Sequence, residues 1–440
     1  MFEVAKLRVK EKAILVGVRL PAASRFAVDE SLQELALLTE TAGGEVLETV
    51  IQERQKLNPT FFIGKGKTQQ IKNLSRRLGA NIIIFDDDLT PAQVFNLEQA
   101  LDVKVIDRSW LILDIFAKRA KSKEAKVQVE LAQLKYLLPR LARGWTHLSR
   151  QEGGIGTKGP GETQLEVDRR RVNRKIQELE KGLSRIEKER RVQRKKRKDV
   201  FKVTLVGYTN VGKSTLFNQL TSSSVFVEEK LFATLDSTTR LIRIAENGKP
   251  LEGVKIVVTD TVGFIRKLPH HLVASFKSTL DEVRLADLLL HVADVSHPEF
   301  QQHIAKVNQV LSELGSLEKP TLVVYNKIDK LGGRYPFSLS PDPDGKDDGV
   351  FVSAQQGIGI SGLAERIAEF TRGDWVEARL FLEKGNSNLL PLVYKTGVVM
   401  DSRFENGGIS MRIRGKRENL QKIRKLEGGF KLEFLVPQPS

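Results

Sequence analysis

Over the first 110 residues, short apolar runs alternate with amphipathic stretches. "AILVGV" (13–18), "GEVLETVI" (44–51), "NIIIF" (81–85) and "VKVID" (103–107) have the length and apolar content of strands. Between them, apolar residues recur at helical spacing over 31–40, 67–78 and 91–101. This alternation predicts a small α/β domain with a partly parallel sheet over residues 1–110. From Trp110 to Leu141 the pattern is helical and rich in Leu and Lys. A second long helix is expected from near Thr163 to about Lys198, where Val172, Ile176, Leu179, Leu183 and Ile186 advance in steps of four and three along one stripe. Residues 111–199 therefore read as a helical arm, either a hairpin or a coiled coil.

The arm is interrupted by "SRQEGGIGTKGPGET" (149–163), which holds five glycines between Gly153 and Gly161 and little apolar area. A turn between helices needs only a few residues. The surplus length points to a binding element at about 150–162. From Val200 the texture returns to strand–helix alternation, with "FKVTLVG", "VKIVVTD", "LLLHVAD", "TLVVYNK" and "GVFVSA" as strands, up to about Gly373. A polar stretch at 332–349 reads as a surface insertion. Residues 374–440 carry short apolar runs with Gly-rich turns and predict a small mixed α/β domain.

Composition narrows the picture. The chain has 440 residues, enough for several cores, and no cysteine, so disulfides and thiolate metal sites are excluded. The first twenty residues carry scattered charges, unlike a signal peptide, and there is no long uncharged apolar run; a cytoplasmic location is expected. The net charge is +16, and residues 169–199 hold fifteen Lys/Arg against five Asp/Glu. An excess of ten positive charges in one segment favours a polyanionic partner over a merely solvated helix face. The triplet Asp86-Asp87-Asp88 could bind a metal, but helix N-termini favour acids, so a cap for the helix near Pro91 is the preferred reading.

"GYTNVGKST" (207–215) follows a strand and precedes a helical stretch, the context of a phosphate-binding loop. Gly207 and Gly212 let backbone N–H groups wrap phosphates, Lys213 supplies a point charge, and Ser214 offers a hydroxyl to Mg²⁺. Asp260 ends a strand and can hold the same ion through water. Gly263 can bring its N–H to a γ-phosphate. "FATLDSTT" offers Thr234 as a further Mg²⁺ ligand on a closing loop. "NKID" (326–329) suits guanine. Its Asp329 carboxylate accepts from N1–H and N2–H₂, a donor pair that adenine lacks, while the Lys327 stem covers the base and Asn326 ties the loop to the phosphate site. Ser353, Ala354 and Gln355 supply backbone contact to the guanine oxygen. GTP is the predicted ligand and Mg²⁺ the cofactor. An ATP-driven RNA-remodelling enzyme is opposed by "NKID".

With these motifs the chain resembles the HflX family of translation-factor-related P-loop GTPases. The resemblance extends through "DRSWLILDIFAKRAKSKEAKVQVELAQLKYLLPRL", "LSRQEGGIGTKGPGETQLEVDRRR", "FATLD" and "DTVGFIRKLPHHL". Motifs and resemblance together assign nucleotide contacts to Gly207, Tyr208, Thr209, Asn210, Val211, Gly212, Lys213, Ser214 and Thr215. Further contacts fall to Phe232, Ala233, Thr234, Leu235 and Asp236, to Asp260, Thr261, Val262 and Gly263, and to Asn326, Lys327, Ile328, Asp329, Ser353, Ala354 and Gln355. Lys213, Thr234 and Gly263 are the expected catalytic groups.

The resemblance also implies binding of a monomer to the large ribosomal subunit and its RNA. That binding would serve to split stalled or idle ribosomes, with the glycine-rich tip reaching toward the peptidyl-transferase region; a competing reading is a GTP-switched RNA-binding factor for subunit assembly without splitting. Three positions depart from the family pattern: Ser237 in place of proline, Lys158 in place of arginine, and the long 332–349 insertion. His270 and His271 fall within the family's switch pattern, which disfavours a metal there. One residue raises a question. Phe264 stands where other GTPases place a glutamine that orients the attacking water. Its ring is expected to turn into an apolar pocket, leaving a slow enzyme that the ribosome stimulates.

Overall fold

The computed structural model describes residues 10–144, 164–195, 200–221, 237–242, 245–246, 249–250, 255–267, 277–332, 349–372, 375–384, 390–396, 398–405, 407–416, 420–421 and 430–435. The expected site residues 232–236, the glycine-rich tip, His270, His271 and most of the 332–349 insertion lie outside them.

The first sheet contains β1 (Lys12–Arg19), β2 (Glu45–Glu53), β3 (Ile82–Phe85) and β4 (Lys104–Asp107), all parallel, in the order β2-β1-β3-β4. Helices α1 (Arg25–Thr41), α2 (Lys65–Leu78) and α3 (Pro91–Leu101) make the crossovers. Ala13 to Val16 and Ile82 to Phe85 are buried on both faces of the sheet, which is why these strands are continuously apolar. Ser24 caps α1, and Thr90 caps α3 in a reciprocal box with Gln93. The acid triplet is therefore not the cap of α3. Asp86 pairs with Arg108 and Lys267, Asp87 with Lys267, and Asp88 accepts from Ser109. Thr90 stands one residue before Pro91 and takes the capping position, leaving Asp86 and Asp87 to hold cations.

Helices α4 (Arg108–Arg119) and α5 (Lys123–Gly144) continue the chain, and their apolar faces complete the first core. Leu111, Ile112, Ile115, Phe116, Val129, Ala132 and Tyr136 pack with Leu15, Leu35 and Ile84. At this junction Asp107 is fully buried. It accepts from the Tyr136 hydroxyl at 2.7 Å, from Trp110 N–H at 2.9 Å, from Leu89 N–H at 3.2 Å and from Arg140 at 3.2 Å. Helix α6 (Gln164–Lys195) lies along α5. Ile176 and Leu179 bury against Leu131, flanked by Val172 and Leu183, so four of the five stripe residues form the seam. Ile186 is half-buried beyond it. Arg169, Arg170, Arg171, Arg174, Lys175, Lys181, Arg185 and Lys188 are solvent-exposed along α6.

The second sheet has the order β12-β11-β10-β5-β9-β6. Strands β5 (Val200–Gly207), β9 (Lys255–Asp260), β10 (Leu288–Asp294), β11 (Thr321–Asn326) and β12 (Val350–Phe351) are parallel, and β6 (Thr238–Ile242) runs antiparallel to β9. Between β6 and β9 lies a small hairpin, β7 (Ala245–Glu246) and β8 (Lys249–Pro250). Helices α7 (Lys213–Thr221), α8 (Lys277–Arg284), α9 (Phe300–Glu313) and α10 (Ile360–Arg372) accompany the sheet. The chain leaves β5 toward β9 on one side and returns to β10 on the other. The crevice at the end of β5 is thus the point where an open α/β sheet takes its ligand.

The C-terminal sheet is antiparallel, in the order β14-β15-β13-β16, from β13 (Trp375–Glu383), β14 (Val398–Glu405), β15 (Gly408–Lys416) and β16 (Phe430–Leu435). Helix α11 (Leu390–Thr396) adds Val393 to a core with Leu380, Met411 and Ile413.

Tyr136→Phe removes one donor from a fully buried carboxylate while keeping the ring. The expected cost is about 1–3 kcal/mol. It should appear as a lower urea midpoint at unchanged slope, and an unaltered midpoint would mean that the other donors suffice.

Candidate functional site

The end of β5 turns sharply into α7, and two glycines permit it. Gly207 has φ +148°, and a Cβ there would stand 2.3 Å from the Val292 carbonyl oxygen. Gly212 has φ +91°, and a Cβ there would stand 2.3 Å from Asn326 Nδ2. A side chain at Gly207 would push into the backbone of β10, and one at Gly212 would displace the Asn326 amide. The loop closes around Lys213, which is 6% exposed and donates to the Tyr208 carbonyl at 2.6 Å and the Gly207 carbonyl at 3.1 Å. Burial drives the Lys213 ammonium down to about 8; Asp260 works against the shift and Lys327 adds to it.

Asn326, at the end of β11, ties this loop to the neighbouring one. Its Nδ2 donates to the Val211 carbonyl at 2.8 Å, and its Oδ1 accepts from Ala354 N–H at 2.9 Å. Lys327, at φ +65°, reaches back to the Asn210 carbonyl at 2.7 Å and pairs with Asp294 at 2.6 Å. Asp329 accepts from the Ser353 hydroxyl at 2.6 Å. Ile328 is buried beneath the turn, while Gln355 is exposed. Residues 207–215, 326–329 and 353–355 thus converge on one end of the sheet.

Asp260 ends β9 and is 1% exposed. The Ser214 hydroxyl donates to its Oδ2 at 2.6 Å. These hard oxygen donors beside the phosphate loop are the chemistry Mg²⁺ selects, so the residues fit that ion. Thr261 donates to the Leu205 carbonyl at 2.6 Å and fixes the start of the following segment. Gly263 then passes so close to the cradle that a Cβ would meet Thr209 Cα at 2.8 Å and Lys213 Nζ at 2.9 Å.

Phe264 N–H donates to the Gly207 carbonyl at 3.0 Å, and Thr209 N–H donates to the Phe264 carbonyl at 2.7 Å. Its ring is 4% exposed and packs among Val206, Val283, Leu289, Val307 and Leu311. The phenylalanine is a core residue whose backbone splints the loop.

A second group of residues escaped the linear reading. Beyond Phe264, Ile265 is buried in the core of the first domain, alongside Leu35 and Ile115. Arg266 pairs with Glu30 and with Glu299, and Lys267 pairs with Asp86 and Asp87. Tyr208 meets Glu34. All of these partners except Arg266 and Glu299 are more than 170 residues apart and leave no periodic trace, and lone charges on an amphipathic helix read as solvated. Glu30, His297 and His303 bring three donor atoms within 4.8 Å of one another. However, His297 Nδ1 accepts from Glu299 N–H, which places the ring hydrogen on Nε2 and closes that nitrogen to a metal. Glu30 and Glu299 already share Arg266, so this cluster reads as an ion-paired interface.

Three family models match consecutive parts of the chain: a GTP-binding GTPase N-terminal region over residues 29–117, a GTP-binding GTPase middle region over 119–197, and a 50S ribosome-binding GTPase domain over 202–327. The GTPase HflX of Escherichia coli K12 is 46% identical over 429 residues, covering 97% of this chain and 98% of its own. That of Caldanaerobacter subterraneus subsp. tengcongensis is 45% identical over 428 residues, covering 95% and 94%. Among solved structures, a GTP-binding protein from Sulfolobus solfataricus in complex with GDP aligns over 82% of this chain and 98% of that one, at 28% identity and a TM-score of 0.44. Full-length similarity at this identity places the chain in the HflX family of GTP-hydrolysing enzymes.

Proposed function

We propose that the cradle at Gly207–Lys213 binds the phosphates of GTP, that Asp329 and the 353–355 loop read guanine, and that the enzyme's hydrolytic cycle governs its attachment to the large ribosomal subunit. The observation that carries the nucleotide assignment is the Asn326 amide. One side chain joins the phosphate loop at Val211 to the base-reading loop at Ala354, fixing the distance between two ends of one ligand. Lys213 supplies charge to the phosphates, and the Gly263 N–H meets the γ-phosphate. Mg²⁺ would be held by Ser214, by Asp260 through water and by Thr234; when bound it neutralises charge on the transferring phosphate.

The ribosomal partner rests on other support. The exposed cations along α6 form a solvated basic face on a rod about 48 Å long, suited to an RNA backbone. The third family model carries the description of 50S ribosome binding. The work done there is proposed to be the splitting of stalled or idle ribosomes by a monomer in the cytoplasm. No helix among the described residues is long and apolar enough to cross a membrane.

Phe264 determines how the reaction runs. With its ring in the core, no side chain at that position can hold a water, and intrinsic hydrolysis is slow. The ribosome supplies what is missing by ordering the loop around Thr234.

Asp329→Asn should move preference from GTP toward XTP, because the amide donates where the carboxylate accepted; unchanged GTP affinity would remove Asp329 from base reading. Large subunits should raise single-turnover hydrolysis at least about tenfold, equivalent to about 1.4 kcal/mol of barrier. Phe264→Gln should destabilise the fold by about 1–3 kcal/mol without creating a fast enzyme, since it buries an amide among aliphatic groups. Rapid hydrolysis by the isolated parent protein would contradict this account. Light scattering of intact ribosomes mixed with protein and GTP tests the cellular role: a fall in scatter marks splitting, and constant scatter with retained subunit binding marks the assembly alternative.

A further inference from the structure

Thr209 lies inside the phosphate loop, two residues after Gly207, and is 6% exposed. Its backbone is committed, since its N–H donates to the Phe264 carbonyl at 2.7 Å. Its hydroxyl is not. The Oγ1 atom is buried, and among the described residues it has no hydrogen-bond partner. Other buried threonines of the same domain are paired: Thr204 donates to the Glu282 carbonyl at 3.2 Å, Thr259 meets Thr239 at 2.9 Å and Thr261 donates to the Leu205 carbonyl at 2.6 Å. Buried hydroxyls are satisfied as a rule, and one that is not costs stability that a valine of the same shape would avoid. The Thr209 hydroxyl therefore calls for a reason outside the fold itself.

Its place supplies one. A Cβ built on Gly263 would meet Thr209 Cα and Cγ2 at 2.8 Å each and Lys213 Nζ at 2.9 Å. Cγ2 and Oγ1 branch from one Cβ, so the hydroxyl belongs to the junction where the Thr209 side chain, the Lys213 ammonium and Gly263 come together. On the function proposed above, Lys213 and the Gly263 N–H hold the γ-phosphate, and the water that attacks it must approach beside them. Such a water has to give a hydrogen to an acceptor if its lone pair is to face the phosphorus. An ammonium has donors only, whereas a hydroxyl has lone pairs to accept with. Phe264 offers neither, its ring lying among Val206, Leu289 and Val307.

We propose that the Thr209 hydroxyl holds the attacking water in GTP hydrolysis, doing from the phosphate loop what a glutamine at position 264 would do from the neighbouring segment. The inference rests on the phosphate site proposed above. The hydroxyl accepts a hydrogen from the water and so turns a lone pair of the water oxygen toward the γ-phosphorus. As the new P–O bond forms, the bond from that phosphorus to the β–γ bridging oxygen breaks, and its electron pair leaves on GDP. The water proton passes to an oxygen of the departing phosphate. Thr209 keeps its own proton throughout, so it orients the water and does not act as a base. A single hydrogen bond fixes a point and not a direction. Hydrolysis by the isolated chain accordingly stays slow until the loop around Thr234 adds a second contact.

The test uses single-turnover GTP hydrolysis by the full-length chain. Thr209→Val keeps the shape of the side chain and removes the hydroxyl. Hydrolysis should slow at least about fivefold, with GDP affinity close to the parent's and a thermal midpoint that does not fall. Thr209→Ser and Thr209→Ala both lack the methyl and differ only in the hydroxyl, so the serine variant should be faster than the alanine variant by at least the same factor. A smaller effect of Thr209→Val overturns the proposal, as do serine and alanine variants of equal rate. A rate loss matched by an equal loss of GDP affinity also overturns it, because that is the mark of a distorted cradle. Lys213→Ala, measured in parallel for GTP binding, keeps the two levels apart: unchanged affinity there would fault the phosphate site itself, not the water.

Discussion

A lysine ammonium held inside a protein with carbonyl oxygens as its nearest partners is an expensive arrangement, and the GTPase domain is organised around one. Lys213 is almost fully buried between the Gly207 and Tyr208 carbonyls, with Asp260 near enough to offset part of its desolvation and Lys327 adding repulsion. In low dielectric such a charge requires an anion. The glycines that permit the turn, the strand order that opens a crevice at β5, and the asparagine that closes the loop all serve to hold this cation where a phosphate can reach it. On the function proposed above, a triphosphate entering the cradle would satisfy a charge that the fold has already desolvated.

The same segment of chain faces two ways. From Asp260 to Gly263 it borders the cradle. From Phe264 onward it belongs to other cores, first that of the GTPase domain and then, at Ile265, that of the first domain. Any displacement of Gly263 would therefore act on Phe264 and Ile265, both of which are buried. Packed cores respond to such displacement by changing partners instead of stretching.

Much of this was legible in the sequence because local rules govern it. The parallel strands are apolar throughout since both their faces are buried, and the cradle announces itself by a spacing that only a strand-to-helix turn satisfies. Asn326 could be read as a tie to the phosphate loop because the amide has both a donor and an acceptor. Phe264 could be read as a core residue because a phenyl ring has no other use there. The acid triplet was misread for an instructive reason. Asp86 precedes a helix closely enough to cap it, but Thr90 stands closer, and the carboxylate's true partners, Arg108 and Lys267, lie 22 and 181 residues away. Long-range ion pairs of this kind have no period and no spacing, so the interface between the two domains was invisible until the chain was folded.

The central claim, that a desolvated lysine awaits a phosphate, has a direct thermodynamic signature. Burial holds the Lys213 ammonium down to about 8, so in mildly alkaline solution the empty cradle gives up this proton more readily than an exposed lysine would, and a bound triphosphate would restore it. Calorimetric titration of GTP into the protein, repeated in two buffers of different ionisation enthalpy, counts protons exchanged on binding. Net uptake at pH 8.5 that vanishes near pH 6.5, and is absent in a Lys213→Met variant that still binds weakly, is the predicted result. Binding at pH 8.5 with no proton uptake would show that the lysine is already charged and satisfied in the empty site, contradicting the account.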